Sequence, residues 1–387
     1  MQEKIIISGM GSLSALGSHA DEIWNRYQSG EPRITTCCFN NCDTPVGKLH
    51  AEEELLIKDL RKENQHYRRL DKSVLLSILA ARQAIEQSKW GGEDLISVNL
   101  GSSRGATQLF EKYHKHFLDN PEKRLSPLTS PTTTLGNLSS WVAYDLGLKG
   151  ASFSHSITCS TALHAIANAV AWLQAGMAKK FVAGGAEAPL SDFTVAQMRA
   201  LRIYSEEEGD FPSRPLDPSS NKNNMILGEG SAVFCLEKDA GQEALARIQG
   251  LGFSTELIEH NVSLSAEADC IFRSMEMALK NADINEVDCV VMHAPGTLKG
   301  DRSELKAIEK LFPENTPHLI STKFASGHSF GASGALSLEL AILMLQKGEL
   351  IDFPYPSLNK DSNAEPKTIM INATGFGGNA VSIILTK

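Results

Sequence analysis

The stretch Ser152-Phe-Ser-His-Ser-Ile-Thr-Cys-Ser-Thr-Ala-Leu-His-Ala-Ile-Ala-Asn-Ala-Val-Ala-Trp-Leu-Gln-Ala175 changes period in its middle. Its opening reads as a short strand. From Cys159 onward the apolar residues Ala162, Leu163, Ile166, Val170 and Leu173 recur at the spacing of one helix face. The pattern predicts a strand over Ser152–Thr158 that runs into a helix from Cys159 to about Ala175, with a cysteine at the corner. A thiol at a helix N-terminus feels the positive end of the dipole and backbone N–H groups without intrahelical partners, and both favour thiolate. The same N–H groups can hold an oxyanion. A small buried core residue is the other reading of Cys159, and this stretch alone does not separate the two.

The same alternation extends in both directions. Upstream, hydrophobic period predicts a strand at Lys4–Gly9, a helix at Asp71–Gln87, a strand at Ser97–Gly101 and a helix near Leu135–Leu146. Short strands at Lys180–Gly184 and Ala232–Glu237 follow the cysteine helix. The order then repeats: strand Ala246–Gly250, helix Ala266–Asn281, strand Asp288–His293, helix Arg302–Leu311, strand His318–Thr322, helix Gly334–Lys347, and closing strands at Thr368–Asn372 and Ala380–Leu385. Part of the repeat is literal, because Gly228-Glu-Gly-Ser-Ala-Val-Phe-Cys-Leu-Glu-Lys238 resembles Gly377-Gly-Asn-Ala-Val-Ser-Ile-Ile-Leu-Thr-Lys387. Strand–helix alternation implies an α/β fold of mostly parallel sheets with helices on their faces, here a layered sandwich of two similar halves, 1–240 and 241–387. Ligand sites in such sheets lie at the carboxyl ends of strands, so Cys159, His293 and His328 should face one end. No linker rich in Pro, Ser or Gly separates the halves, which predicts one continuous core. The polar stretch Glu206–Asn224 reads as a long surface excursion.

Composition narrows the classes. Of the 387 residues, 42% are hydrophobic and 21% charged, an ordinary globular balance. A net charge of −9 argues against a general nucleic-acid binder, which needs excess Lys and Arg to displace counterions from phosphate. No apolar run is long enough to span a bilayer and no secretory pattern opens the chain, so the expected location is cytoplasmic. Seven scattered cysteines fit a reducing compartment. The cluster Cys37-Cys38-Phe-Asn-Asn-Cys42 lacks a C-x-x-C or a second cluster to complete four ligands, and no metal site is assigned. His114 and His116 lie in a charged segment and read as solvent-facing. His155 and His164 flank Cys159 without an assigned role.

The second half supplies two histidine segments. Val291-Met-His-Ala-Pro-Gly-Thr-Leu-Lys-Gly-Asp301 ends a strand on His293, and Ser321-Thr-Lys-Phe-Ala-Ser-Gly-His-Ser-Phe-Gly-Ala-Ser-Gly334 carries His328 in a loop of small residues. Together with the opening Ile-Ser-Gly-Met-Gly, Gly184-Gly-Ala-Glu-Ala188, Ser213-Arg-Pro-Leu-Asp217, Gly228-Glu-Gly230 and Gly375-Phe-Gly-Gly378, they run along nearly the whole chain. In these ordered motifs the sequence resembles the β-ketoacyl-acyl carrier protein synthases, the condensing enzymes of fatty acid and type II polyketide synthesis. The resemblance implies a thiolase-like α/β/α/β/α sandwich with mixed five-stranded sheets.

By that resemblance Cys159 matches the nucleophile, and His293 and His328 match the histidines that complete the triad. Lys323 matches the lysine before the second histidine, and Glu304 the acidic residue linked to it. Phe376 matches the gating phenylalanine whose N–H forms the oxyanion hole with that of Cys159, and Thr297 matches a threonine touching the phosphopantetheine arm. Arg68, Arg69 and Arg199 fall near basic carrier-docking positions; a solvated basic surface is the plainer reading of each. The resemblance implies acyl carrier protein as partner, a homodimer or a heterodimer with a related ketosynthase or chain-length-factor subunit, and no cofactor beyond the phosphopantetheine that carries the substrates. Where the family reads Gly-Thr-Gly-Thr after the first histidine, this chain has Ala294-Pro-Gly-Thr297, and Asn379-Ala380 replaces a frequent Thr-Asn. These departures lean toward type II polyketide or polyene synthesis. A chain-length factor typically lacks the cysteine, a thiolase needs a second cysteine absent from Gly375–Ala380, and a Cys-His thioester hydrolase needs an activated water that nothing in the sequence marks.

Overall fold

Ile5-Ile-Ile7 and Ile383-Ile-Leu385 are unbroken apolar runs, the pattern of strands covered on both faces, and all six residues are buried at the middle of one large sheet. The computed structural model describes residues 4–90, 95–135, 137–207, 209–257, 265, 267–359 and 365–387. Among these the strands are β1 (Ile5–Ser14), β2 (Thr35–Phe39), β3 (Cys42–Val46), β4 (Ile96–Gly101), β5 (Ser152–Phe153), β6 (Lys180–Glu187), β7 (Gly230–Lys238), β8 (Ala246–Thr255), β9 (Cys289–Val291), β10 (His318–Ile320), β11 (Thr368–Gly375) and β12 (Asn379–Thr386).

The ten-stranded sheet has the order β10-β9-β11-β12-β8-β1-β7-β6-β4-β5, with β2 and β3 forming a separate hairpin. It divides at β1 and β8 into two five-stranded halves of matching order, joined by the antiparallel pairs Ile5↔Ile248, Ile6↔Arg247 and Ile7↔Ala246. In each half the outer three strands are parallel and the pairings toward the join are antiparallel. The sheets are mixed as expected, with a smaller parallel share than expected. The cause is visible at β11 and β12, where Gly377 (φ 96°) and Gly378 (φ 70°) make a tight reversal that only antiparallel strands can use.

Helices cover the halves in layers. Lys72–Ser88, started by the Asp71 cap on Ser73 N–H, packs with Asn137–Leu146 outside the N-terminal half. Asp269–Ala282 and Leu298–Leu311 do the same outside the C-terminal half. Between the halves lie Thr161–Gln174 and Ser333–Lys347. The second is buried from Ser333 through Leu345, mostly apolar but with Glu339 buried in it and accepting from Ser12 Oγ. This central pair shares one core with strands of both halves, and it aims the loops before each helix at a common centre. Among the described residues no helix is long and apolar enough to cross a membrane.

Candidate active site

The expected strand over Ser152–Thr158 is corrected: β5 ends at Phe153. The chain leaves the sheet because Ser154 Oγ turns to Ser139 Oγ (2.8 Å) and Thr158 takes φ 48°, a left-handed conformation that no strand holds. A cross-bonded turn results. Thr161 Oγ1 accepts from Ile157 N–H (2.8 Å) and donates to Thr158 O (2.6 Å), while Ser160 Oγ donates to Ile157 O (2.9 Å). The helix begins at Thr161, so Cys159 stands two residues ahead of it.

Burial pushes the Cys159 thiol up from its ordinary 9.0 to about 12; the charge of Glu187 adds to the rise and that of Lys323 opposes it. The rise corresponds to about 4 kcal/mol, whereas a helix dipole supplies about 0.3–1 kcal/mol. Burial therefore works against the thiolate that the helix N-terminus favours, and Lys323 works toward it.

His293 follows β9. Its loop is held from below by two carboxylates of the helix Leu298–Leu311. Glu304 accepts from the N–H of His293 (3.0 Å) and of Ala294 (2.9 Å), and Asp301 accepts from Gly296 (3.2 Å) and Thr297 (3.1 Å). Asn372 of β11 donates to Glu304 Oε1 (3.1 Å). His328 is pinned through its backbone, donating to Ile226 O (2.6 Å) and accepting from Gly228 N–H (3.0 Å). The two imidazoles stand 5.3 Å apart, centroid to centroid, at 87°. Burial lowers the pKa of both, that of His328 to about 3, with Lys323 as a second cause there; His328 and Lys323 add to the effect at His293. Both lowered pKa values favour the neutral rings, and neither Nδ1 has a protein partner among the described residues.

Lys323 is buried, and burial lowers its pKa to about 8 against the opposing pull of Glu304, Asp301 and Cys159. Its Nζ reaches Ser337 Oγ (3.2 Å) and Met292 O (3.4 Å), so its link to Glu304 acts through charge and not through a direct ion pair. On the fourth side, Thr158 Oγ1 donates to Phe376 O (3.1 Å). A Cβ on Gly375 would come within 1.9 Å of Thr158 Oγ1 and 2.9 Å of Cys159 N, so only glycine lets the two turns meet.

A cavity of about 240 Å³ joins these parts; Cys159, His293, His328, Glu304, Thr297 and Phe376 all line it, and Met198, Met225, Ile203 and Phe330 give it apolar walls. Pro295 and Lys299 line it beside Thr297, where the departure from the family motif falls. The docking candidates lie apart from it. Arg68 and Arg69 are exposed on the turn Tyr67–Arg69. Arg199 is bound to the β2–β3 hairpin through Thr44 Oγ1 (2.7 Å) and lines a neighbouring outer cleft.

The surface excursion expected over Glu206–Asn224 holds in part: Glu206, Gly209, Asp210, Pro218, Ser219, Asn221 and Lys222 are exposed, and the rest turns inward. Ser213, Asp217, Ser220 and Asn224 are buried, because Asn224 Oδ1 accepts from Arg214 N–H (2.9 Å) and Asp301 from Leu216 N–H (3.3 Å), drawing the segment into the wall behind the His293 loop. Glu187, in the Gly184–Ala188 motif, has a structural role that no sequence feature beyond that motif marks. It accepts from Ser102 Oγ (2.7 Å) and the N–H groups of Ser103 (2.7 Å), Arg104 (3.1 Å) and Gly331 (3.0 Å), tying loops of both halves around Cys159. That motif lies at the end of β6. Cys37, Cys38 and Cys42 fall on the β2–β3 hairpin. Among the described residues no group of three or more His, Cys, Asp or Glu is placed to hold a metal ion.

A thiol and two neutral imidazoles around one apolar cavity, in a duplicated thiolase-like fold, define a condensing enzyme of the fatty acid and polyketide type. The chain belongs to the β-ketoacyl synthase family: the pattern described as "Beta-ketoacyl synthase, N-terminal domain" matches residues 2–241 and "Beta-ketoacyl synthase, C-terminal domain" matches 245–354. It is 27% identical to 3-oxoacyl-[acyl-carrier-protein] synthase 2 of Staphylococcus aureus (strain COL), over 100% of this chain and 98% of the relative. In fold it is similar to the ishigamide ketosynthase/chain length factor, with a TM-score of 0.88 at 19% identity and 100% of both chains covered. It is also similar to a type II ketosynthase solved in complex with its acyl-carrier protein, AntDE:AntF, with a TM-score of 0.86 at 18% identity and 100% of both chains covered.

Proposed function

We propose that this chain extends carrier-bound acyl groups by two carbons, with Cys159 as the acyl carrier and His293 and His328 as the groups that act on the malonyl unit. The observation that carries the reading is the convergence of all three, with the Phe376 turn, on one cavity. In the first step Cys159 Sγ attacks the acyl thioester, the carbon–sulfur bond to the carrier breaks, and the thiol proton leaves with the carrier thiol. The N–H groups of Cys159 and Phe376 receive the oxyanion. In the second step malonyl-carrier loses carbon dioxide, and the electron pair of the broken bond goes into an enolate. A neutral imidazole N–H donates to the enolate oxygen, as a group with a strongly lowered pKa can at neutral pH. The enolate carbon then attacks the acyl-Cys159 carbonyl; a carbon–carbon bond forms, the carbon–sulfur bond to Cys159 breaks with its electron pair going to sulfur, and the thiolate takes a proton from water to regenerate the thiol. Phosphopantetheine arrives with the substrate, past Thr297 and Pro295, and the chain supplies no cofactor of its own.

The carrier partner and the dimer are carried over from the relatives. Support within the chain is the edge of β5, where Ser152 is exposed and Phe153 half-buried on the way to the nucleophile. Arg68, Arg69 and Arg199 are the proposed carrier contacts, the reaction is placed in the cytoplasm, and the departure at Ala294-Pro295 favours a type II polyketide or polyene pathway. The test is intact-mass analysis of the protein with acyl-carrier and malonyl-carrier, wild type beside Cys159→Ala. Acylation at Cys159 followed by a β-ketoacyl-carrier two carbons longer is the expected result. No acylation under any pairing of carrier and partner subunit refutes the reading.

A further inference from the structure

His155 stands four residues before Cys159, and its ring is bracketed. Nδ1 lies 3.0 Å from Asn99 Oδ1, and Nε2 lies 3.2 Å from the carbonyl oxygen of Thr161, the first residue of the nucleophile helix. Asn99 is completely buried in β4 between Val98 and Leu100, and among the described residues its Nδ2 has no partner. A buried asparagine in such a strand costs free energy unless it serves a bond. Burial lowers the pKa of His155, with the Thr161 contact opposing and the charge of His164, the titratable group facing it, adding to the fall. A neutral ring carries one N–H. With acceptors at both ring nitrogens a neutral ring satisfies only one, so the pair is satisfied when the Asn99 amide is turned end for end, Nδ2–H facing Nδ1 in place of Oδ1, and Nε2–H donates to Thr161 O.

We propose that His155 is a positioning residue for the condensation: with Asn99 behind it, it fixes the turn Ile157–Thr161 against β4 and thereby sets where the Cys159 sulfur stands. Thr161 is the hub of that turn, since its Oγ1 also bonds Ile157 and Thr158, and Thr158 holds the Phe376 turn. A shift of the Thr161 carbonyl moves the nucleophile and the oxyanion donors together. This inference rests on Cys159 being the nucleophile.

The experiment measures the rate constant of Cys159 acylation at saturating acyl-carrier by quenched intact mass, with thermal unfolding in parallel. Glutamine keeps a donor near the position of Nε2, whereas asparagine and leucine do not. His155→Asn and His155→Leu are expected to slow acylation by about ten- to a hundredfold without changing the half-saturating carrier concentration, as sub-ångström misplacement does. His155→Gln is expected to recover to within about threefold by the same reasoning. The double variant Asn99→Val, His155→Leu removes both polar groups, so it should melt near the wild type and still acylate slowly. Acylation by the double variant at the wild-type rate overturns the proposal, as does a loss confined to the half-saturating concentration. A wild-type chain that never acylates refutes the nucleophile reading itself and this inference with it, a result distinguishable from a fast His155→Leu enzyme.

Discussion

In the N-terminal half the chain leaves β5 after two residues, turns through a left-handed Thr158 and delivers a thiol; in the C-terminal half it leaves β10, passes the helical turn Lys323–Ser326 and delivers an imidazole. The positions are equivalent in the duplicated frame, since each loop precedes one of the two central helices. The rest differs: the nucleophile turn is held by side-chain hydroxyls of its own residues, whereas the His328 loop is held by backbone bonds to Ile226 and Gly228. Duplication thus brings two unlike loops face to face over one cavity, and division of labour follows from what each half holds rigid.

The sharpest break in that comparison separates the two chemical steps. His293→Ala or His328→Ala should lower condensation by about a hundredfold to ten-thousandfold while acyl transfer to Cys159 survives, read by single-turnover acylation beside product formation. Equal loss in both steps would show that the halves do not divide the work. Next in size is Gly375→Ala, whose methyl would collide with Thr158 Oγ1 and Cys159 N. It should slow acylation by about a hundredfold, with the two histidines untouched.

A smaller effect tests the charge that crosses between the halves. Below a pKa of about 8 Lys323 is cationic and eases ionisation of Cys159; above it the charge is lost as pH rises. Lys323→Met should therefore reduce alkylation of Cys159 by a small reagent by about three- to tenfold near pH 7, with the difference closing above pH 8. A constant ratio across that range would mean that the lysine acts on the thiol only through packing.

The sequence made the duplicated strand order readable because long apolar runs such as Ile5-Ile-Ile7 and the helix Ser333–Lys347 carry their burial in their composition. The helices Ala20–Ser29, Ala51–Glu63, Thr107–Asp119 and Asp192–Ala200 escape the sequence reading, because only one to three residues of each are buried and their apolar positions are few beside the long polar face. Cys159, His293 and His328 could be named from motifs, and the structure brings them together. Their electrostatics could not: the rise of the Cys159 thiol and the fall of the His328 imidazole come from burial by residues far apart in the chain. Asn99 and Thr161, the partners of His155, likewise become neighbours only through the pairing of β4 with β5.

The edges of the sheet give the smallest and most specific contrast. Leu319 in the edge strand β10 has its N–H bonded to Asn359 Oδ1 (2.8 Å) and its carbonyl bonded by Asn359 Nδ2 (2.9 Å), so one side-chain amide takes the place of a neighbouring strand. Ser152 in β5 is exposed at the opposite edge. An unpaired edge invites another strand, and proteins block the edges they do not use. Asn359→Ala removes both bonds and should lower stability by on the order of 1–2 kcal/mol, seen as a modest fall in Tm. It should also leave Leu319 free to pair with another chain, seen as concentration-dependent association in sedimentation beyond the wild-type state. Loss of Tm without new association would mean that Asn359 secures the 351–359 segment and that β10 is protected by that segment as a whole; association without loss of Tm would make edge blocking its main work, and the contrast with β5 would then define which edge is kept for a partner.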